Sequence, residues 1–361
     1  VSAVGDSTGG GDLQARLGRL ERAIDRRREQ VERVSAQVEV LSDEVRSPLE
    51  RTVGHADDPE LALGAPSYSL AARMHRRCHT TGVYTREGMR EPILDLAPKL
   101  PGRAWAAANG VGVPELLGTW PDPGAVDWDT LPERFVLKGN VGAGGVNVYP
   151  LARDADGDGY TDLLTGEPTT RADVTERLWA NHHEESSYFA EELLDAPGSG
   201  PQGAVPQDVK VFCFYGVPVY VEARRGDQSR AAAVRSRART YLADGTELTN
   251  ARALIDPDDG TVHPPTDLEA VVSDAARLSR TIRRPLQRLD FFETDRGVVF
   301  GEVTMSPGHV PALAGGWDER LGEAYEDAYA RLLADLAAEG ALGVDVPDGA
   351  DGDAGGAAGP R

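Results

Sequence analysis

The chain has 361 residues, enough for one large enzyme core or two lobes with appendages. Acids outnumber bases to a formal net charge of -21, which disfavours nucleic-acid phosphate and anionic lipid as partners. Two cysteines, Cys78 and Cys213, make no disulfide framework, and no run of about 18 apolar residues is present, so a cytoplasmic location without a membrane span is expected.

Residues 1–11 are rich in Gly, Ser and Asp and read as disordered. Leu17, Ile24, Val31, Val38 and Val45 then recur at heptad spacing, with Leu13, Leu20, Val34 and Leu41 between them and Arg27 as the one break. β-Branched residues at a and mostly Leu at d predict a parallel two-stranded coiled coil over 12–50, about 50 Å long at ~1.5 Å per residue. Arg16 and Glu21 stand where an interhelical ion pair forms. The partner is a second copy or another chain; a single amphipathic helix lying on its own domain is the alternative. Pro48 ends the pattern. Residues 51–130 read as a mixed region ahead of the main lobes, with short helix-like pieces around Tyr68–His79.

From Lys99 onward the pattern alternates, which predicts an α+β architecture. Helices are expected at 100–110, 171–181, 267–284 and 318–339. Strands are expected at Phe135–Lys138, Val146–Leu151, Tyr188–Leu194, Val209–Phe214, Val217–Ala223, Leu289–Glu293 and Val298–Val303. Tyr215-Gly216 reads as a hairpin turn. The third helix has Thr266 as its candidate cap, an apolar face of Leu268, Val271, Val272, Ala275, Leu278 and Ile282, and Pro285 as its stop. The segments divide into one lobe at 131–205 and a second at 206–342, followed by a Gly/Ala/Asp-rich tail at 343–361 that reads as disordered.

Three segments carry candidate chemistry. Arg288 to Gly308 reads as two antiparallel strands joined at Asp295–Gly297. Alternation puts Arg288 and Asp290 on one face and Glu302 and Thr304 on one face, so a hairpin brings Asp290 beside Glu302. Two carboxylates held together repel unless a cation lies between them, and Mg²⁺ bound by one or two carboxylates plus phosphates resolves that cost. The same spacing also suits acids on a solvated edge hairpin. In the second segment, the strand ending at Lys138 runs into the loop Gly139-Asn-Val-Gly142-Ala-Gly144-Gly145, whose backbone N–H groups can approach phosphate. No Gly-Lys-Ser/Thr follows, so this is no P-loop, and glycine-rich hairpins are common. In the third, Asp208 and Lys210 share a strand face; Lys210 can bind a phosphate or pair with a neighbouring acid.

Two side signals weigh less. Asp154, Asp156, Asp158, Gly159 and Asp162 match much of a calcium loop, but Thr165 takes the place of the closing Glu, and a solvated acidic hairpin tip is the better reading. His182 and His183 beside Glu184 and Glu185 lack a third ligand for zinc and suit a polar loop.

In order and spacing these pieces resemble the ATP-grasp superfamily over roughly residues 95–315. Lys99-Leu-Pro-Gly-Arg to Gly-Val-Pro114 looks like the lysine-initiated helix and Gly-x-Pro step of D-alanine–D-alanine ligases. Phe189-Ala-Glu191-Glu-Leu-Leu194 resembles the hinge strand that reads adenine. Arg288-x-Asp290, Glu302-x-Thr304 and Ser306-Pro-Gly308 resemble the Arg-x-Asp, Glu-x-Asn and Ser-Pro-Gly signature. Leu131-Pro-x-x-Phe-Val-Leu-Lys138, Asp208-x-Lys-x-Phe-Cys-Phe-x-Gly216 and Phe300-Gly-Glu302-x-Thr304 are similar to the TupA-like members, associated with teichuronopeptide and cell-surface polymer biosynthesis.

The resemblance implies two α+β lobes sandwiching ATP. It also implies nucleotide contacts from Lys99, Lys138, Gly142, Gly144, Gly145, Glu191, Leu194 and Lys210, with Mg²⁺ at Asp290, Glu302 and Thr304. Arg288 would steady the reaction centre. The implied activity is ATP-dependent carboxylate–amine ligation through an acyl phosphate, acting on small-molecule, peptide or polymer substrates. A phosphotransferase on the same fold, or a non-catalytic nucleotide-binding module tethered by the coiled coil, are the alternatives. Thr304 replaces the asparagine of the ligase pattern, which puts a two-metal site in question, and Pro98 stands where ligases often carry Asp.

Overall fold

A computed structural model describes residues 69–70, 72–74, 77, 95–142, 145–155, 157, 159–182, 186–197, 206–225, 237–248, 260, 262–305, 307 and 316–341. The coiled coil expected over 12–50, the disorder expected at 1–11 and 343–361, and Gly144 lie outside these residues.

Helix α1 (Lys99–Ala108) starts directly after Pro98, whose fixed φ of -66° suits the residue before a helix. Its buried face is narrow because it meets backbone: a Cβ at Gly102 would stand 3.0 Å from the Leu96 carbonyl oxygen. After α1 the chain enters a six-stranded antiparallel sheet in the order β1-β6-β2-β3-β4-β5. Its strands are β1 (Leu116–Trp120), β2 (Arg134–Gly139), β3 (Val148–Arg153), β4 (Tyr160–Asp162), β5 (Pro168–Thr169) and β6 (Tyr188–Glu192). Helix α2 (Arg171–Ala180) covers one face, sealing Val174 and Leu178 against Phe135, Leu137, Leu151 and Tyr188. A reciprocal box between Thr170 and Asp173 starts it by satisfying two of its free N–H groups.

The second sheet has five antiparallel strands in the order β11-β10-β7-β8-β9. They are β7 (Asp208–Phe214), β8 (Val217–Arg225), β9 (Arg237–Leu242), β10 (Gln287–Thr294) and β11 (Gly297–Thr304). Helix α3 (Leu268–Thr281) lays Val271, Ala275 and Leu278 on the face formed by Val209, Val211, Leu289, Phe291 and Phe300. Each such fully buried aliphatic or aromatic side chain contributes about 1.5–3 kcal/mol. Asp267, rather than the expected Thr266, caps α3, its Oδ1 accepting from the Ala270 amide at 3.0 Å. The helix begins one residue later than the periodicity implied, and Asp267 is the acceptor then in range. Trp105 and Phe300 meet edge to face at 6.0 Å, so α1 is rooted in this same core.

The opposite face of the five-stranded sheet is divided. At one end Phe212 stacks on Tyr220 at 4.1 Å, and helix α4 (Trp317–Ala338) covers the pair with Leu321, Ala328 and Leu332. The rest of that face is charged. The β7–β8 turn has positive φ at both Tyr215 (43°) and Gly216 (80°), as the tight hairpin requires. A tyrosine in that conformation is held from outside: its hydroxyl donates to Asp335 Oδ2 at 2.8 Å, and Arg280 lies 4.9 Å over its ring.

One irregularity sets the site. Asp290 pairs with Glu302 and Phe291 pairs with Phe300, so Gly301 is an extra residue in β11. Without that bulge Phe300 and Glu302, two apart, would share a face. With it, Phe300 stays in the core and Glu302 turns to the charged face. A Cβ at residue 301 would lie 2.9 Å from the Phe292 ring and 3.2 Å from the Asp290 carbonyl oxygen, which explains the glycine.

Candidate active site

The charged face is organised by strand register. Glu222 on β8 pairs with Lys210 on β7, Lys210 with Asp290 on β10, and Asp290 with Glu302 on β11. Four strands thus place charges of alternating sign in one row, with two acids adjoining at its β11 end. Lys210 Nζ donates to Asp290 Oδ2 at 2.6 Å and also pairs with Asp208. Arg288, two residues before Asp290 and on the same face, grips that carboxylate through Nε at 2.6 Å and Nη2 at 2.7 Å. Its Nη2 also donates to Thr304 Oγ1 at 2.9 Å and approaches Glu302 at 3.5 Å.

The electrostatics follow from burial and neighbours. Burial alone would raise the Asp290 carboxyl, but Lys210 and Arg288 override it and hold it below the ordinary range. Burial would lower the Lys210 ammonium, and the Asp208 and Asp290 charges outweigh that and hold it above its usual value. Burial and the Asp290 charge push Glu302 up, against the pull of Lys99, Lys210 and Arg288. Burial lifts the Asp208 carboxyl too, although Lys210 opposes it.

This row meets a cleft lined by Lys99, Lys138, Phe189 and Glu191 on one side and Phe300 and Gly301 on the other. Lys99 joins the two halves: burial lowers its ammonium, the Glu302 charge raises it, and Lys138 and Glu191 act on it from the six-stranded sheet. Its Nζ donates to the Gly142 carbonyl at 2.8 Å. Lys138 and Glu191 face each other as strand partners' neighbours and form a close ion pair, both largely buried. Leu194, also buried, follows the end of β6. The glycine loop takes conformations that need glycine at Gly142 (φ 139°) and Gly145 (φ 76°). The cleft measures about 230 Å³ with its open mouth included. The enclosed space within it is only about 10 Å³, room for little more than a water molecule.

The expected residues come together in two groups: Arg288, Asp290, Glu302, Thr304 and Lys210 share the charged face, and Lys99, Lys138 and Glu191 line the cleft. Gly142 meets this second group through Lys99 Nζ, whereas Gly145 and Leu194 are not among the cleft's lining residues. Of the three lysines expected to contact the nucleotide, Lys138 and Lys210 are already engaged by carboxylates, and Lys99 donates to a backbone carbonyl. Glu302 and Asp290 adjoin across β10 and β11, and a divalent cation between the two carboxylates would relieve their mutual repulsion. Among the described residues no group of three or more His, Cys, Asp or Glu side chains is arranged to hold a metal ion, and the Thr304 hydroxyl already accepts from Arg288.

Sequence reasoning missed Glu222 and Arg224. Glu222 is fully buried and forms an ion pair with Arg224. The signal was present in the alternation Tyr220, Glu222, Arg224 on one face of β8. The weaker signals stay weak: Asp154 Oδ1 accepts from Thr161 Oγ1 at 3.0 Å, and His182 Nδ1 meets the Tyr188 hydroxyl at 3.0 Å. Asp156, Asp158, His183, Glu184 and Glu185 lie outside the described residues. No helix among the described residues is long and apolar enough to cross a membrane.

A family profile described as TupA-like ATP-grasp matches residues 108–326, more than half of the chain. No curated protein sequence matches it. Among solved structures, the ATP-grasp ligase PsnB, complexed with a phosphomimetic variant of minimal precursor, Mg and ADP, is similar at 16% identity, 65% coverage of this chain and a TM-score of 0.37. The chain spans 58% of that PsnB chain. D-alanine–D-alanine ligase from Bacillus anthracis, complexed with ATP, is similar at 12% identity over 72% of this chain and 76% of its own, with a TM-score of 0.41. D-cycloserine synthetase DcsG is similar at 16% identity over 71% and 80%, with a TM-score of 0.38.

Proposed function

The chain belongs to the TupA-like ATP-grasp family, and on that premise we propose that it is an ATP-dependent ligase that activates a carboxylate for attack by an amine. The observation that carries the reading is the cross-strand row Lys210–Asp290–Glu302, gripped by Arg288 and adjoining a cleft that Lys99 shares with Lys138 and Glu191.

In this reading the nucleotide lies in the cleft, which must widen to take it. Phosphate oxygens displace carboxylates from Lys138 and Lys210, exchanging one charge-assisted contact for another. Glu191, released from Lys138, and the backbone near Leu194 then face the adenine edge. The loop from Gly139 to Gly145 covers the phosphates. Asp290 and Glu302 would hold Mg²⁺, which when bound neutralises phosphate charge and polarises the γ-phosphoryl. A substrate carboxylate oxygen attacks the γ-phosphorus and ADP leaves. The amine then attacks the acyl carbon, inorganic phosphate leaves and the amide remains. Arg288 stabilises negative charge at the reaction centre, a role worth about 3–4 kcal/mol in comparable donors.

The family resemblance alone suggests cell-surface polymer or peptide-conjugate synthesis as the setting and the cytoplasm as the place. The heptads at 12–50 would pair the chain with a second copy or a partner. A panel of carboxylates and amines, assayed for ADP and for inorganic phosphate, tests the reading. Equal release of both, dependent on both substrates, supports ligation. ADP without phosphate means phosphotransfer, and nucleotide binding without turnover means a non-catalytic module.

A further inference from the structure

Helix α1 begins without a cap of its own, because Pro98 offers no side-chain acceptor. The first turn of a helix leaves N–H groups that need partners. Two of them are satisfied from another element by one residue. The Lys99 amide donates to the Asn140 carbonyl at 2.9 Å, and the Leu100 amide donates to Asn140 Oδ1 at 2.8 Å. Asn140 is the second residue of the glycine loop, two positions after Lys138. Its own amide donates to the Ser187 carbonyl at 2.8 Å, next to β6. Lys99 returns the contact through Nζ to Gly142.

Each end of this connection is fixed in a different lobe. Ala106 and Trp105 of α1 pack with Phe300 in the core of the five-stranded sheet. Asn140 extends β2 of the six-stranded sheet, which carries Lys138, and is tied to β6, which carries Glu191. No other residue in the loop contributes a side-chain hydrogen bond among the described residues.

We propose that Asn140 is a positioning residue: it caps α1 from the glycine loop and so fixes the loop, and with it Lys99, over the cleft. The proposal deepens the nucleotide-binding reading and rests on it. Asn140 need not touch the nucleotide. Its amide oxygen holds the start of the loop against α1, and Lys99 Nζ holds it again at Gly142. The binding cost of ordering the loop is thereby met in advance.

The test uses the full chain as Asn140→Ala and Asn140→Asp, each read by hydrogen exchange and by calorimetric titration of Mg-ATP. Asn140→Ala loses the acceptor. The expected result is faster exchange confined to the Leu100 amide and residues 140–142, a melting midpoint lowered by no more than about 2–4 °C, and nucleotide affinity weakened by about five- to tenfold. Asn140→Asp keeps an acceptor that a helix N-terminus favours and should restore both readouts. Wild-type affinity in Asn140→Ala, a uniform rise in exchange across the protein, or failure of Asn140→Asp to restore the local protection would each overturn the proposal. If wild type binds no nucleotide, the ligase reading fails by itself. Exchange at Leu100 then decides the anchor: unchanged protection in Asn140→Ala refutes it.

Discussion

Lys210→Met is the substitution that most directly tests whether the charged row is a buried lattice. Methionine keeps the length of the stem and removes the ammonium. Two carboxylates then face each other without the cation that separates them, since Lys210 bridges Asp208 and Asp290. Removing one partner of a buried ion pair costs roughly 3–5 kcal/mol. One feature of the site argues for the lower end: Arg288 still grips Asp290 through two hydrogen bonds. The expected loss is about 3 kcal/mol. Urea unfolding followed by tryptophan fluorescence at pH 7, with EDTA and no nucleotide, measures it. The double substitution Asp208→Asn with Lys210→Met should recover most of the loss, because the stranded charge is then gone. A loss within about 1 kcal/mol of wild type, the usual range for solvated pairs, would refute the buried lattice.

Gly301→Val forces a side chain against the Phe292 ring and the Asp290 carbonyl. Urea unfolding should show a loss of about 1–3 kcal/mol from overpacking, and Mg-ATP titration should show weakened binding because residue 301 lines the cleft. Burial and Asp335 hold the Tyr215 phenol above its ordinary value, so its contribution is complete below about pH 10 and is lost as pH rises through the raised folded-state value. The stability difference between wild type and Tyr215→Phe should therefore shrink above about pH 10 in denaturant titrations. Burial also pushes the Cys213 thiol far up. In a Cys78→Ser background, Cys213 should react with a thiol reagent only in denaturant; rapid labelling of the native protein would contradict its burial.

The long helices and the central strands were legible because their periodicity is undisturbed. Leu268 to Ile282 keeps one apolar face, and Leu289 to Phe291 alternates before Phe292 breaks the pattern. The hairpin at Asp295–Gly297 was legible, but its regular register would set Asp290 opposite Gly301, and only the bulge brings Asp290 opposite Glu302. What escaped has physical reasons. β1 is five residues long between Pro114 and Pro121, and it lies in the stretch read as preceding the lobes, yet it pairs with β6 at the edge of the six-stranded sheet. β4 and β5 are too short to show a period, and β9 reads Arg-Ala-Arg-Thr-Tyr-Leu, more polar than a central strand. The bulge at Gly301 leaves no mark in a one-dimensional pattern, because the extra residue shows only against its partner strand. The pairing of Lys138 with Glu191 was equally hidden, since 53 residues separate them and only the β2–β6 register brings them together.

The central claim is that Mg-ATP binds where the Asp290–Glu302 pair meets the cleft. Calorimetric titration of Mg-ATP into wild type and Glu302→Gln, each shown to be folded by its melting midpoint, tests it most directly. The account predicts magnesium-dependent binding in wild type and affinity weakened at least about tenfold in Glu302→Gln, with much of the magnesium dependence gone. No binding to a folded wild type up to about 1 mM ATP, or binding indifferent to both magnesium and Glu302, would contradict it.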